Sequence, residues 1–146
     1  MSKGAGTNAH PCTCLRLRKA SRRVSQIYDR HLASFGLTVT QYGVLGHVAR
    51  FDGISIGALA EKLCMDPTTL TRNLSPLQRL NLVTVEPDRH DRRARRLRVT
   101  ARGRGAFARA KSGWSRAQRY IERALGEVEA PALNAALDRV LERLAP

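Results

Sequence analysis

The stretch ISIGALAEKLCMDPTTLTRNLSPLQRLNLVTV, residues 54–85, decides the fold. Its apolar residues recur at three- and four-residue spacing, the period of a helix with one buried face. The spacing predicts a short helix from about Ile56 to Leu63, with Ile56, Leu59, Ala60 and Leu63 inward. Cys64 and Met65 make the turn. Asp66 is a good N-cap, and Pro67 stands at the first helical position, where a missing N–H costs nothing. A second helix runs from Pro67 to about Leu80. Two short helices, a tight turn and a capped second helix read as a helix-turn-helix. On the second helix Leu70, Leu74 and Leu77 share one face, and Thr68, Arg72, Ser75 and Arg79 share the other, with Thr69 at its margin. Thr71 joins them as a candidate contact. This outward face has no acid and no large apolar group. Ordinary solvated faces usually mix in Glu or Asp, so the face suits an element that enters a DNA major groove. Pro76 within it removes one helical hydrogen bond and crowds the Arg72 carbonyl. A kink is expected there, leaving Thr68–Arg72 as the base-reading half.

Downstream lies VEPDRHDRRARRLRVT, residues 85–100, with three acids among six arginines. Leu82–Val85 and Arg96–Val99 alternate like strands, so the segment between them is the tip of a β-hairpin, a wing beside the helix-turn-helix. Arg89, Arg92, Arg93 and Arg95 would meet phosphates or the minor groove. Asp91 is expected to accept from Arg93 and so hold that side chain in one pose. The alternative is a charged hairpin with no partner.

The whole composition agrees with a polyanionic partner. The 146 residues hold 26 Lys+Arg against 12 Asp+Glu, a formal net charge of +14. Arginine dominates, lysine being confined to Lys3, Lys19, Lys62 and Lys111; arginine suits forked contacts, although a GC-rich genome produces the same bias. The length implies one domain, and the 42% apolar residues suffice for a modest core. Aromatics at 5% argue against a stacking surface for carbohydrate. No apolar run approaches the roughly 20 residues of a membrane span, and MSKGAGTNAHP lacks the apolar centre of a signal peptide. The three cysteines, Cys12, Cys14 and Cys64, are an odd and sparse set, which suggests free thiols in a reducing cytoplasm.

Around this centre the pattern is helical. Residues 1–11 are small and polar and are expected to be disordered, with the folded domain over 12–146. Leu17, Ala20, Val24, Ile27, Tyr28, His31 and Leu32 make one stripe ended by Gly36, and a second helix spans Thr40 to about Arg50 with Tyr42, Leu45 and Val48. After the wing, Phe107, Ala110, Trp114, Ala117, Ile121 and Leu125 form a stripe on Arg102–Leu125. Gly126 breaks it, and about Ala130–Leu144 carries Leu133, Leu137, Val140, Leu141 and Leu144. These terminal helices hold more apolar surface than a small winged domain covers, and dimerisation accounts for it.

The order of elements resembles the MarR transcriptional regulators. The matching segments are GLTVTQYGVLGHV, residues 36–48, and residues 56–103. The family's wing pattern, Asp-x-Arg and then Leu-x-x-Thr-x-x-Gly, appears as Asp91-Arg92-Arg93 and as Leu97, Thr100 and Gly103. The resemblance extends over residues 14 to about 145. It implies a mainly α fold with a winged helix-turn-helix over about 38–100, and a homodimer interlocked through helices at about 13–34 and 102–145. It further implies a pseudo-palindromic double-stranded DNA operator and repression relieved by a small molecule or by an oxidant.

The first helix is also similar to the organic-peroxide sensors of that family, the OhrR type, in which a cysteine opens the helix and a tyrosine follows fourteen residues later. Here these are Cys14 and Tyr28, but Arg18 stands where that pattern has a second tyrosine. With Thr13 as N-cap, Cys14 would lie at a helix N-terminus beside Arg16 and Arg18, where thiols ionise more readily. The alternative is a small buried hydrophobe. His10, Cys12 and Cys14 are a further candidate for a soft metal, although no metal or other cofactor is assigned. His31 and His47, with Tyr42, lie where the family holds aromatic acids. No Gly-rich phosphate loop, HExxH or nucleophile–base pair is present, which argues against an enzyme. An architectural, non-specific DNA binder remains as the alternative, separable by footprinting against competitor DNA.

Overall fold

A computed structural model describes residues 12–146; the tail expected to be disordered, residues 1–11, lies outside the described residues. Helix α1, Thr13–Leu32, is capped by Cys12, whose Sγ accepts from Leu15 N–H at 3.5 Å. The cap is therefore Cys12 and not Thr13, so Cys14 is the second helical residue. A 3-10 turn, Ala33–Phe35, ends at Gly36, whose φ of 72° lies in the left-handed region that favours glycine. Helix α2, Val39–Arg50, opens with a capping box: the Thr38 hydroxyl accepts from Gln41 N–H while Gln41 Oε1 accepts from Thr38 N–H. Asp29 of α1 accepts from Val39 N–H at 2.7 Å and ties the two helices together.

Helices α3, Ile56–Lys62, and α4, Pro67–Arg79, form the helix-turn-helix, each with its N-cap side chain engaged, Ser55 to Ala58 N–H and Asp66 to Thr69 N–H. Helix α4 continues through Pro76 as one element. The wing pairs β1, Val83–Pro87, with β2, Arg95–Val99, in an antiparallel register that sets Val83 opposite Val99 and Val85 opposite Leu97. Both strands are longer than alternation indicated. The turn after α2 adds a short third pairing, Ser55 with Arg96, through Gly53 N–H to the Leu97 carbonyl and Leu97 N–H to the Ile54 carbonyl. Helix α5, Ala101–Leu125, and helix α6, Glu129–Arg143, complete the chain.

The core lies where α2, α4, β2 and the start of α5 meet, built on Leu45, Val48, Leu59, Leu70, Leu74, Leu77, Leu82 and Leu97. The three leucines expected to face inward on α4 are all buried. Helices α1 and α5 approach closely because small residues line the seam. Ala110, Gly113 and Ala117 are buried, and a Cβ at Gly113 would stand 2.5 Å from the His31 carbonyl oxygen. By contrast, residues 12–23 are exposed throughout, and on α6 only Ala130 is buried. Leu15, Leu133, Leu141 and Leu144 point into solvent in the single chain, Leu144 being 77% exposed.

Candidate nucleic-acid interface

Packing of Leu70, Leu74 and Leu77 turns the opposite face of α4 outward. Thr68, Thr69, Thr71, Arg72, Ser75 and Arg79 are all exposed. Some of their hydroxyls are occupied: Thr71 donates to the Pro67 carbonyl at 2.8 Å, and Thr69 donates to the Asp66 carboxylate. Those Thr69 contacts, the side chain first and then the backbone N–H, hold the Asp66 carboxyl below the usual carboxylate range. Arg72, Ser75 and Arg79 make no hydrogen bond or ion pair within the described residues, so their polar groups remain available.

In the wing, the arginines divide into two groups. Arg96 and Arg98 are structural. Arg96 donates to the Asp88 carboxylate and, at 3.2 Å, to the Gly53 carbonyl, while Arg98 pairs with Asp52 at 2.9 Å and with Glu86 at 3.4 Å. Together they strap the hairpin to the turn after α2. The exposed pairs of Arg98 contribute little individually. Arg89, Arg92, Arg93 and Arg95 are exposed and have no acidic partner among the described residues.

The expected contact between Asp91 and the Arg93 guanidinium is absent. Asp91 Oδ1 instead accepts from the backbone N–H of Arg93 at 3.0 Å, an Asx-type turn that shapes the chain and leaves the long side chain unheld. The residue that organises the tip is Asp88, which sequence reasoning passed over. It accepts from His90 N–H at 2.7 Å, from Asp91 N–H at 3.1 Å and from Arg96 Nε. These donors, His90 N–H first, then Arg96 and Asp91 N–H, hold its carboxyl at about 2. The signal available in the sequence was an Asp at the first position of a turn, two residues before a histidine and eight before an arginine.

The wing motif quoted above also gains a physical basis. Leu97 is fully buried. The Thr100 hydroxyl accepts from Gly103 N–H at 2.9 Å and donates to the Asn81 carbonyl at 2.7 Å. Gly103 lies directly under the Leu82 carbonyl, and a Cβ there would be 2.9 Å from Val99 Cγ2 and 3.0 Å from the Leu82 carbonyl carbon.

The candidate sensor residues are scattered. Cys12 and Cys14 are exposed at the start of α1. Cys14 and Tyr28 are separated by roughly 21 Å of helix within one chain, at about 1.5 Å per residue. The Tyr28 hydroxyl instead donates to Gln118 Oε1, and burial, then Glu122, raises its pKa. Cys14 is thus neither buried nor beside Tyr28. The His10 member of the metal candidate lies outside the described residues. His31 Nδ1 donates to the Ile27 carbonyl, and its ring faces Tyr120. Tyr42 and His47 do come together, in a cleft of about 810 Å³ between α2, α3 and α5. Tyr42 stacks on Phe107 at 4.7 Å and is raised in pKa by burial, and His47 Nδ1 donates to the Gly43 carbonyl. The cleft is completed by Trp114 of the α5 stripe and by three cations that the sequence did not mark as site residues, Arg50, Lys62 and Lys111. Lys62 Nζ sits 4.5 Å from the centre of the Phe51 ring. Among the described residues no helix is long and apolar enough to cross a membrane.

Comparison with known proteins agrees with this arrangement. The MarR family model matches residues 35–94. The transcriptional activatory protein BadR of Rhodopseudomonas palustris is 34% identical over 92 residues, and the HTH-type transcriptional regulator SarZ of Staphylococcus epidermidis 30% over 91. The match spans 53% of BadR and 62% of SarZ, and 61% and 62% of this chain. The transcriptional regulator MosR of M. tuberculosis, crystallised in complex with DNA, is 31% identical, with a TM-score of 0.80 over 90% of this chain and 95% of that one. With near-complete coverage of MosR and a family match spanning the helix-turn-helix and most of the wing, the chain belongs to the MarR family.

Proposed function

We propose that this chain is a sequence-specific, DNA-binding transcriptional regulator that acts as a cytoplasmic homodimer on a pseudo-palindromic operator. The observation that carries it is the acid-free exposed face of α4 beside a wing whose Arg89, Arg92, Arg93 and Arg95 are unpaired among the described residues. In this reading α4 enters the major groove with Arg72 on a base edge. Arg93 reaches the minor groove, and Arg92 and Arg95 serve the flanking phosphates. Asp91 and Asp88 act by fixing the backbone from which these arginines project. The uncovered apolar residues of α1 and α6 meet their counterparts on a second copy, which sets two recognition helices against two half-sites.

Repression is our reading of its action, relieved by a small effector or by thiol oxidation. Operator position, and not the interface, decides between repression and the activation that BadR's name describes. The Tyr42–His47 cleft suits an effector that is flat and anionic, since aromatic walls alternate with Arg50, Lys62 and Lys111. Lys62 ends α3, so an occupant there bears on the helix-turn-helix. Oxidation would act at Cys12 or Cys14, across the dimer, because one chain keeps Tyr28 away. The test of the main proposal is Arg72→Ala on a selected operator and on random DNA. A loss of about 1–3 kcal/mol on the operator alone is expected for a forked base contact; equal losses on both would reduce Arg72 to a phosphate contact and favour the architectural alternative.

A further inference from the structure

At the start of α4 the donor or acceptor character of one hydroxyl is already decided. A free threonine hydroxyl donates or accepts, and so pairs with either kind of base edge. The Thr69 hydroxyl is not free. It donates to one oxygen of the Asp66 carboxylate, whose other oxygen accepts from Thr69 N–H at 2.9 Å. The Thr69 carbonyl accepts from Asn73 Nδ2 at 3.1 Å, so the residue is tied through its N–H, its hydroxyl and its carbonyl. Charge fixes the direction of the hydroxyl bond. The Asp66 carboxyl is held below the usual carboxylate range by the Thr69 side chain first and then by its N–H, and a carboxylate has no proton to give. The single hydroxyl hydrogen is therefore committed inside the protein. What the exposed Thr69 hydroxyl still offers is its oxygen lone pairs. The neighbouring carboxylate polarises the hydroxyl and makes that oxygen a better acceptor.

We infer that Thr69 is a specificity-determining residue that accepts from an exocyclic amino group, adenine N6 or cytosine N4, and that Asp66 is the positioning residue that imposes this choice. The inference rests on the proposed entry of α4 into the major groove, where the N-terminal residues of a recognition helix meet base edges. There adenine and cytosine present amino donors, whereas guanine O6 and N7 and thymine O4 are acceptors. A lone pair facing an acceptor gains no bond. Thr69 and Arg72, three residues apart, are neighbours on the helix surface, so the base read by Thr69 adjoins the one read by Arg72.

The test is selection from randomised duplexes with the full-length protein, then fluorescence competition among duplexes that differ at one base pair of the selected half-site. One position should prefer adenine or cytosine over guanine or thymine by about three- to tenfold, the size of one neutral hydrogen bond. Thr69→Val, which keeps the branched shape and the capped N–H, should level that position and no other. Thr69→Ser, which keeps the hydroxyl, should retain the preference. Asp66→Asn is the decisive variant. Asparagine still caps through its carbonyl oxygen, but its amide donates to the Thr69 hydroxyl and frees that hydrogen to meet DNA. The preference should then move towards guanine or thymine. Loss of the charge acts on the phosphates of every duplex alike, so it does not imitate a change in the ratio between bases. Position 69 keeps a small side chain and position 66 its cap, so the variants should keep wild-type helix content. A selected site whose base preferences are the same in the wild type, Thr69→Val and Asp66→Asn overturns the inference and leaves the entry of α4 standing. Failure of the wild type to enrich any sequence defeats the recognition-helix reading itself, and this inference with it.

Discussion

Gly103→Ala is the sharpest probe of how the wing is joined to the helices. The new Cβ would fall far inside the van der Waals contact distance of the Leu82 carbonyl oxygen and within 2.9 Å of Val99 Cγ2. Leu82 is not free to retreat: its carbonyl accepts from Thr100 N–H at 3.0 Å, and its N–H donates to the Leu77 carbonyl at 2.9 Å. Overpacking of this kind costs about 1–3 kcal/mol, and loosening one neutral hydrogen bond about 0.5–1.5 kcal/mol more. Against this, alanine in a helix gains about 0.5–1 kcal/mol over glycine. The net expectation is a loss of about 1–3 kcal/mol. Gly43→Ala is the control, because Gly43 lies within α2 and nothing stands within 4 Å of its Cβ position. It should gain the helical term alone, about 0.5–1 kcal/mol. Urea unfolding at one fixed protein concentration, which removes any dimer contribution from the comparison, reads both. Two variants shifted in the same direction would refute the claim that Gly103 is selected by the approach of Leu82.

Charged substitution at Leu137, Leu137→Glu, should abolish the dimer in sedimentation at micromolar concentration; a variant that sediments as the wild type would remove α6 from the interface. Cys64 adopts a φ of 50° in the helix-turn-helix turn. Cys64→Gly should stabilise by about 0.5–1 kcal/mol, as relief of a left-handed residue outweighs the added freedom of the unfolded chain, and a lower urea midpoint would contradict it. The Asp88 carboxyl sits at about 2, below the ordinary value near 3.9. Its contribution to the wing is therefore complete above about pH 4 and is lost as pH falls through about 2. A carboxyl-carbon NMR titration of Asp88 with a midpoint near 4 would show that the His90 and Asp91 bonds do not form in solution.

The parts of this fold legible in the sequence are those governed by local rules. The leucine spacing on α4, the Asp66 cap with Pro67 behind it, and the alternation of Val83, Val85, Leu97 and Val99 each depend on neighbours a few residues away, and each appears where periodicity put it. Boundaries were less legible, because a cap depends on which nearby side chain wins the backbone N–H: Cys12 took the role that Thr13 suggested. Long-range pairings were invisible. Nothing local says that Gly53 and Ile54 will add a third rung to β2, or that Arg98 will meet Asp52, forty-six residues away.

The wing shows why residue type and spacing mislead most where charge is dense. Six arginines and three acids offer many equivalent pairings, and proximity in sequence favoured Asp91 with Arg93. A turn, however, brings backbone N–H groups to an aspartate sooner than it brings the end of a flexible arginine. Fixing an N–H already constrained by the turn costs less entropy than immobilising a guanidinium. Asp88 and Asp91 therefore accept from the main chain, at His90, Asp91 and Arg93. Only Arg96, held in a strand with its exit direction set, reaches a wing aspartate. The acids thus fix the hairpin's shape, and the arginines left over, Arg89, Arg92, Arg93 and Arg95, stay exposed and without an acidic partner among the described residues. Such a loop keeps its attraction for phosphate while losing little freedom before DNA arrives. Asp88→Asn, which spares one acceptor oxygen but weakens both the Arg96 pair and the turn, should therefore weaken operator binding even though it makes the wing more positive. An increase in affinity would mean that net charge, and not the shape of the hairpin, governs the contact.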